Sequence, residues 1–360
     1  STTIFQHCSH WVDMTMTACG SLHMIMLDFS SRCWALGDND EGQLGIGCTH
    51  KTKRPTLITG GDIGNEFIEQ IGTGGWFSAF ITRTGHVLTC GNIYRMFVQD
   101  IDGNVDIVRQ GTEYVPRIAT THARNAPPGP NDQRHHFHKL ACGSRFLLVQ
   151  DKWTRQVYGL GTDDGNALSM TEMDNRILTP VYYRDSESGQ KQPLNIRCKK
   201  LDAGERFSVV LDHQGALFIT GHGYDREKAI LSLVRELFDR GVRLIDVCCS
   251  WAQFIGLDMN GCAHLGVRPD INGTTVIQLN FFGPVLQIGT GNVQLYARTN
   301  NHTYKFMEQE NVGKAENEQS SVIHPARCSV LEYASGFHVG DRDFVQMTGS
   351  YFTTVIHLAQ

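Results

Sequence analysis

The sequence predicts an all-β protein built from repeated units, and three observations support this prediction. The 360 residues include 37 glycines but only 10 prolines, and the glycines separate short apolar runs. One unit recurs seven times: an apolar residue, two or three small residues, an anchor glycine, two variable positions and an apolar strand. The average spacing is about 51 residues per unit, which suits four-stranded blades arranged in a ring.

The anchor of each unit is expected to end one strand and to begin a turn into the next. A glycine suits this place because it lets strands approach closely where repeated sheets converge. The fifth unit has a serine instead. The seven anchors are Gly20, Gly74, Gly143, Gly204, Ser250, Gly291 and Gly349.

The first unit carries the clearest second half, from Trp34 to Gly47. An apolar strand ends at Gly37, a polar turn reverses the chain, and Gln43 begins a second extended segment. Asn, Asp and Gly dominate this turn, and they tolerate the left-handed backbone that tight hairpins need. The later units keep a strand and a glycine, but the pattern is barely legible by 299–304.

This arrangement resembles the repeats of the regulator of chromosome condensation family, most closely in the first unit. The resemblance implies a seven-bladed β-propeller of four-stranded antiparallel blades, with residues 1–360 as one domain of seven degenerate repeats. The seventh unit lacks a second half, and Thr3–Cys8 is predicted to supply it and close the ring without an open edge. The alternative is that residues 1–10 form a loose tail.

The segment Asp225–Arg240 departs from the repeat and is predicted to be a helix. Asp225 can cap its start and Gly241 its end. It either covers the edge of the fourth blade or forms a docking element. Its apolar residues follow helical spacing and are Ile230, Leu233, Val234 and Leu237.

The positions directly after the anchors are the candidate binding residues. In a propeller, equivalent positions of successive units converge near one end of the central axis, and Trp and Arg are the side chains most enriched in binding hot spots. The sequence therefore predicts a partner-binding face; the alternative is that these residues pack and pair between blades. They are Trp76, Arg145, Glu205, Arg206 and Trp251.

Motifs for chemistry are missing from the sequence. It contains no nucleophile elbow, metalloprotease pair or phosphate-binding loop, so no catalytic residue is identified and no cofactor is expected. Two histidine groups could contact a metal, but neither has a completed set of four ligands, and no metal site is predicted. These groups are His135, His136 and His138, and His7, Cys8 and His10.

Composition limits the partners and the compartment. The net charge of −5 and pI near 6.3 imply no broad basic surface for nucleic acid. No apolar run approaches the length of a membrane span. The 11 cysteines include no Cys-x-x-Cys pair, which favours a reducing intracellular location, cytoplasmic or nuclear, over a disulfide framework.

The resemblance leaves two functions open. The founding activity of the family is nucleotide exchange on the small nuclear GTPase Ran, through one propeller face and a wedge-like hairpin. No stretch of this sequence can be matched to that wedge. The expected function is therefore a protein-interaction propeller, a scaffold or small-GTPase-associated module without chemistry of its own. The alternative is a divergent guanine-nucleotide exchange factor for a Ran-like small GTPase.

Overall fold

The computed structural model describes residues 14–64, 66–93, 96–99, 105–108, 112–119, 135–162, 168, 177–184, 190–221, 232–267, 276–279, 281, 283–290, 294–300, 303–307, 329–330, 344–349 and 354–358. Within these residues the regular structure is almost entirely β-strand. The exceptions are a short helix, α1 (Arg235–Asp239), and a single 3-10 turn (Gly61–Ile63). The all-β prediction is confirmed.

The first three sheets of the described chain each have four antiparallel strands. Sheet 1 contains β1 (Met14–Cys19), β2 (His23–Asp28), β3 (Cys33–Gly37) and β4 (Thr52–Leu57). Sheet 2 contains β5 (Ile68–Thr73), β6 (Phe77–Thr82), β7 (Val87–Gly91) and β10 (Glu113–Ile118), and a hairpin of β8 (Met96–Gln99) and β9 (Val105–Val108) precedes its last strand. Sheet 3 contains β11 (Phe137–Cys142), β12 (Phe146–Asp151), β13 (Val157–Gly161) and β14 (Thr179–Pro180).

Sheets 4 and 5 repeat this plan after a hairpin of β15 (Tyr182–Arg184) and β16 (Lys191–Pro193). Sheet 4 contains β17 (Cys198–Ala203), β18 (Ser208–Asp212), β19 (Leu217–Thr220) and β20 (Ser232–Leu233). Sheet 5 contains β21 (Leu244–Cys249), β22 (Gln253–Asp258), β23 (Ala263–Val267) and β24 (Val276–Leu279). Sheet 6 joins six strands: β25 (Val285–Thr290), β26 (Gln294–Thr299), β27 (Thr303–Met307), β28 (Ser329–Val330), β29 (Phe344–Gly349) and β30 (Thr354–Leu358).

The first strands of successive sheets contact one another in chain order. The contacts run from β1 to β5, β11, β17, β21 and then β25. In sheet 6, β25 also pairs in parallel with β29 through Thr290 and Thr348, and β29 contacts β1. The start and the end of the described chain therefore meet. The predicted closing segment, Thr3–Cys8, lies outside the described residues.

The hydrophobic core is divided into clusters that lie between neighbouring sheets. Each cluster combines apolar side chains from one sheet with those from the next, so that every shared interface removes apolar surface from water. One buried residue from each of two neighbouring sheets illustrates each cluster. In the order of the sheets, these residues are Ile25 and Phe80, Phe77 and Leu147, Phe146 and Leu201, Phe207 and Val247, and Ile255 and Leu295.

The first five anchors form the same turn at the ends of the first strands. Each donates its N–H to the carbonyl oxygen of the residue three positions later, over 2.8–3.0 Å. Gly349 ends β29, whereas Gly291 lies outside the described residues. The expectation that anchors separate a first strand from a second is therefore met wherever both strands are described.

Successive anchors pack against one another, and this contact requires glycine. A Cβ on Gly20 would lie 2.5 Å from the carbonyl oxygen of Gly74, and one on Gly74 would lie 2.6 Å from that of Gly143. A Cβ on Gly143 would lie 2.8 Å from the carbonyl oxygen of Gly204, and one on Gly204 would lie 2.5 Å from that of Ser250. Because packed atoms do not tolerate such separations, the missing side chains are what bring sheets 1 to 5 together at this end.

The polar turn of the first unit is buried between sheets 1 and 2. The Asn39 side-chain oxygen accepts a hydrogen bond from the N–H of Leu44 over 2.9 Å. The Gln43 side-chain oxygen accepts from the N–H of Glu41 over 2.9 Å. The Ser78 hydroxyl donates to the carbonyl oxygen of Gln43 over 2.7 Å. These bonds make the turn a fixed part of the interface between the two sheets.

The predicted helix is much shorter than expected, and the helix prediction for Asp225–Arg240 is wrong for part of its described residues. Ser232–Leu233 forms β20, which pairs with Phe218 and Ile219 at the edge of sheet 4, and only Arg235–Asp239 is helical. Apolar residues at 233, 234 and 237 satisfy a short strand and one helical turn equally well, and the unpaired edge of β19 selects the strand. Gly241 does end the helix, with φ +72.

We expect Gly143→Ala to lower the free energy of unfolding by about 3 kcal/mol, the upper end of the cost of overpacking. The new Cβ would lie 2.2 Å from the Phe146 ring and 2.8 Å from the Gly204 carbonyl oxygen. Gly241→Ala is the control, because nothing lies within 4 Å of its Cβ position. Its left-handed backbone should cost about 1–2 kcal/mol. Equal losses in urea unfolding would contradict the close-packing argument.

We also expect the free energy of unfolding to decrease as the pH is lowered, because of His23. Its Nε2 lies 3.0 Å from the Ser78 hydroxyl, and burial lowers its pKa from 6.5 to about 4. Between these two values the unfolded chain binds a proton that the folded chain does not. The neutral His23 side chain therefore makes its full contribution to the stability of the fold above pH 6.5. Acidification toward pH 4 lowers the free energy of unfolding by about 3 kcal/mol. In denaturant titrations, His23→Gln should flatten this slope; an unchanged slope would exclude His23 as its source.

Candidate functional site

The five predicted binding residues lie on the turns that follow the anchors of sheets 2 to 5. Trp76 and Arg145 hold equivalent places, because their carbonyl oxygens accept hydrogen bonds from Asn92 and Thr162, each over 2.8 Å. The Arg206 carbonyl oxygen faces Gly221 at the corresponding place in sheet 4. These residues therefore lie on one repeated turn, at one end of the sheets.

Hydrogen bonds join neighbouring turns to one another. The N–H of Gly75 donates to the carbonyl oxygen of Ser144 over 2.8 Å, which links sheets 2 and 3. The N–H of Glu205 donates to the carbonyl oxygen of Trp251 over 2.8 Å, which links sheets 4 and 5. The predicted residues thus lie on two pairs of turns, each pair joined by a backbone hydrogen bond.

Three of the predicted residues form a charged group. The Arg206 guanidinium lies 3.6 Å from the Glu205 carboxylate. Burial lowers the pKa of Arg145, and the nearby Arg206 lowers it further, while Glu205 acts in the opposite direction. Sheets 3 and 4 therefore present two cations around one anion. Trp76 lies on the turn before this group and Trp251 on the turn after it, and both are half-buried.

The structure adds a residue that the sequence reasoning missed. Leu22 holds the same turn position in sheet 1 as Trp76 does in sheet 2, since its carbonyl oxygen accepts from the N–H of Asp38. Its side chain is 48% exposed. The sequence signal for Leu22 is its position two residues after Gly20, since Trp76 and Arg145 lie at the same distance from their own anchors.

A cavity of about 410 Å³ opens between the first strands of sheets 1 to 6. Glu205 and Trp251 line it, whereas Trp76, Arg145 and Arg206 do not. The predicted residues therefore divide into two that face the cavity and three that lie on the surrounding turns.

Charged side chains inside this cavity were not anticipated. The Lys200 ammonium donates to the Asp246 carboxylate over 2.7 Å, and the Asp202 carboxylate accepts the N–H of Cys249 over 3.0 Å. Burial alone would lower the pKa of Lys200, but Cys248, Asp246 and Asp202 raise it above its ordinary value. These charges join sheets 4 and 5.

The third residue of the first strand makes similar bonds in other sheets. The Gln70 amide of sheet 2 donates to the carbonyl oxygen of His138 and accepts from the N–H of Leu140 in sheet 3. The Lys139 ammonium of sheet 3 donates to the carbonyl oxygens of Cys198 and Lys199 in sheet 4. A long polar side chain at the third place of the first strand is the sequence signal that could have revealed these bonds.

The candidate metal ligands have other partners where they are described. His135 Nδ1 lies 3.1 Å from the Asp151 carboxylate, and His138 Nδ1 lies 3.1 Å from the carbonyl oxygen of Gln150. The His136 ring packs near Trp153. Across the residues that the structure describes, no group of three or more metal-binding side chains occurs. His7, Cys8 and His10 lie outside the described residues.

The cysteines of the described chain are free thiols. Burial raises the pKa of Cys248 and of Cys90 to about 12. Both thiols therefore stay protonated at neutral pH, where they are poor nucleophiles.

Among the residues that the structure describes, no helix is long and apolar enough to cross a bilayer.

Known proteins share the repeat and part of this sequence. The family model for the regulator of chromosome condensation (RCC1) repeat matches residues 30–81. Protein RCC2 homolog from Danio rerio is 25% identical over 274 residues, which cover 68% of this chain and 50% of that protein. Protein RCC2 from Homo sapiens is 24% identical over 240 residues, which cover 62% of this chain and 42% of that protein. The chain thus spans half or less of these relatives.

A solved structure shares the fold over nearly the whole chain. Prp20p from Saccharomyces cerevisiae matches with a TM-score of 0.64 and 17% identity, over 96% of this chain and 82% of that chain. The matched repeat, the RCC2 relatives and this fold agree with the anchors and sheets described above. Together, the repeat match at residues 30–81, the similarity to the RCC2 proteins and the shared fold support an RCC1-like repeat architecture for this chain.

Proposed function

We propose that residues 1–360 form one seven-bladed β-propeller closed by its two ends. In this arrangement sheets 1 to 5 and strands β25 to β28 supply six blades, and β29 and β30 belong to the seventh. The contacts of β29 with both β25 and β1 support this proposal. Thr3–Cys8 would complete the seventh blade and leave no open edge.

We propose further that the propeller binds a protein partner through the face formed by the anchor turns. The observation that carries this proposal is that four neighbouring turns present Trp76, Arg145, Glu205, Arg206 and Trp251 on hydrogen-bonded backbone. Rigidly held Trp and Arg side chains lose little conformational freedom on binding, which favours them as hot spots. The protein would act as a scaffold or as a small-GTPase-associated module.

The charges of this face suggest the character of the partner surface. Arg145 and Arg206 carry two positive charges against one negative charge from Glu205. Leu22, Trp76 and Trp251 add apolar area on the flanking turns. A partner with an acidic group surrounded by apolar side chains would complement both features.

The second candidate is a divergent guanine-nucleotide exchange factor for a Ran-like small GTPase. The specific support is the similarity to Prp20p over 96% of this chain, because that yeast protein was characterised for its binding to Gsp1p and to histones. Exchange would need an element that displaces the nucleotide, and the described residues contain no segment that we can assign to it. We therefore rank this function second.

An intracellular location, cytoplasmic or nuclear, is part of the proposal. It is supported by the nine described cysteines, all of which are free thiols. Secreted proteins of this cysteine content more often use disulfides, whereas reducing compartments keep thiols free.

We expect Arg206→Ala to weaken partner binding by roughly 30-fold, the loss typical of a hot-spot arginine. The Arg206 side chain is 45% exposed, so its truncation should leave the fold intact. Met259→Ala is the control, because Met259 is 71% exposed on the turn between β22 and β23, at the opposite end of the sheets. The partner would be captured with the full chain, identified, and titrated against each variant by calorimetry.

Equal affinities of the two variants, or greater loss with Met259→Ala, would contradict the proposed face. Release of fluorescent GDP from Ran-like GTPases, with and without the full chain, separates the two functions. A more than tenfold acceleration would exclude a pure scaffold and establish exchange activity. An unchanged rate would leave the interaction module as the function.

A further inference from the structure

A second cavity, of about 310 Å³, lies between sheets 1 and 2 at the end opposite the anchor turns. It is bounded by the tip of the β2–β3 hairpin and by the connection from β4 to β5. The volume reaches the lower range of small-ligand pockets. The proposed partner face does not use this cavity, so a separate occupant can be considered.

The cavity has an apolar floor and a polar rim. Its floor residues are at most 4% exposed and are Cys33, Ile58, Ile63 and Ile68. At the rim, Phe67 is 53% exposed, so its ring offers an apolar surface to a ligand. The other rim side chains are Ser30, Ser31, Arg32, Thr59 and Glu66. A ligand with a long apolar stem and a polar end would satisfy both parts.

The basic side chain at the rim has a charged partner, whereas the acidic one has none within the described part of the chain. Arg32 Nε lies 2.8 Å from the buried Asp28 carboxylate, so the positive charge of Arg32 already has its counter-charge. Nearby, Arg83 lies 3.4 Å from the Glu69 carboxylate and 4.6 Å from the centre of the Phe67 ring.

Glu66 has no such partner. Its carboxylate accepts a hydrogen bond from the Thr84 hydroxyl over 3.3 Å, and no cation of the described residues lies within salt-bridge distance of it. Glu66 is therefore the unmatched charge of the cavity, and it lies beside the exposed Phe67 ring.

We propose that this cavity binds a lysine side chain from an extended segment of a partner protein. The aliphatic stem would lie on the isoleucine floor and against Phe67, and the ammonium would pair with Glu66. Long basic side chains combine these two properties, since their stems bury readily while the charged ends stay at the rim. An acidic side chain is disfavoured, because Arg32 is already paired and Glu66 would repel it.

The test uses the full chain with labelled isoleucine methyl groups and the probe N-acetyl-lysine-N-methylamide. Ile58, Ile63 and Ile68 line the cavity, so their methyl resonances report its occupancy directly. We expect saturable shifts of these resonances. Glu66→Gln should weaken binding by about threefold, the range of a partly exposed ion pair. Asp239→Asn removes one negative charge at the exposed end of α1, outside the cavity, and should leave the affinity unchanged.

Two comparison probes decide the chemistry. N-acetyl-norleucine-N-methylamide has no ammonium and N-acetyl-glutamate-N-methylamide reverses the charge; both should bind more weakly than the lysine probe. Equal binding of the norleucine probe, preference for the glutamate probe, or no shift of the cavity methyl groups would each overturn the proposal. So would an equal loss in Glu66→Gln and Asp239→Asn, provided that thermal unfolding shows both variants folded.

Discussion

The close contact between successive anchor turns is the constraint on which the rest of the structure depends. At each contact a glycine Cα faces the carbonyl oxygen of the next anchor, with no room for a methyl group. The contact sets how closely the first strands converge, and the apolar clusters between sheets then pack around that convergence. Polar side chains in the first strands, such as Gln70 and Lys200, donate hydrogen bonds to the first strand of the next sheet.

This constraint links the fold to the candidate function. The residues that follow an anchor lie at the end of the sheets, where Glu205 and Trp251 face the cavity and the others lie on the surrounding turns. Hydrogen bonds from Gly75 and Glu205 to the next turns hold that surface in place. A surface made in this way can change its side chains without changing the scaffold, so one fold can carry different functions.

Much of the fold could be predicted from the sequence, because each repeat is defined by residues that lie close together along the chain. The anchors, the strands on either side and the position of Arg145 on its turn all follow from one glycine and the strand after it. The helix was overestimated because Leu233 and Val234 suit a strand as well as a helix, and only the free edge of β19 decides between them. The bond between Lys200 and Asp246 joins residues on different sheets, so local patterns did not predict it.

The most direct test of the account is amide hydrogen exchange of the full chain, measured with and without its captured partner. The account predicts slower exchange on binding at the anchor turns, and no change at the hairpin tips at the other end of the sheets. Protection at the tips, with the turns unchanged, would contradict it. The turns are residues 74–77, 143–146, 204–207 and 250–253, and the tips are residues 151–155 and 258–262.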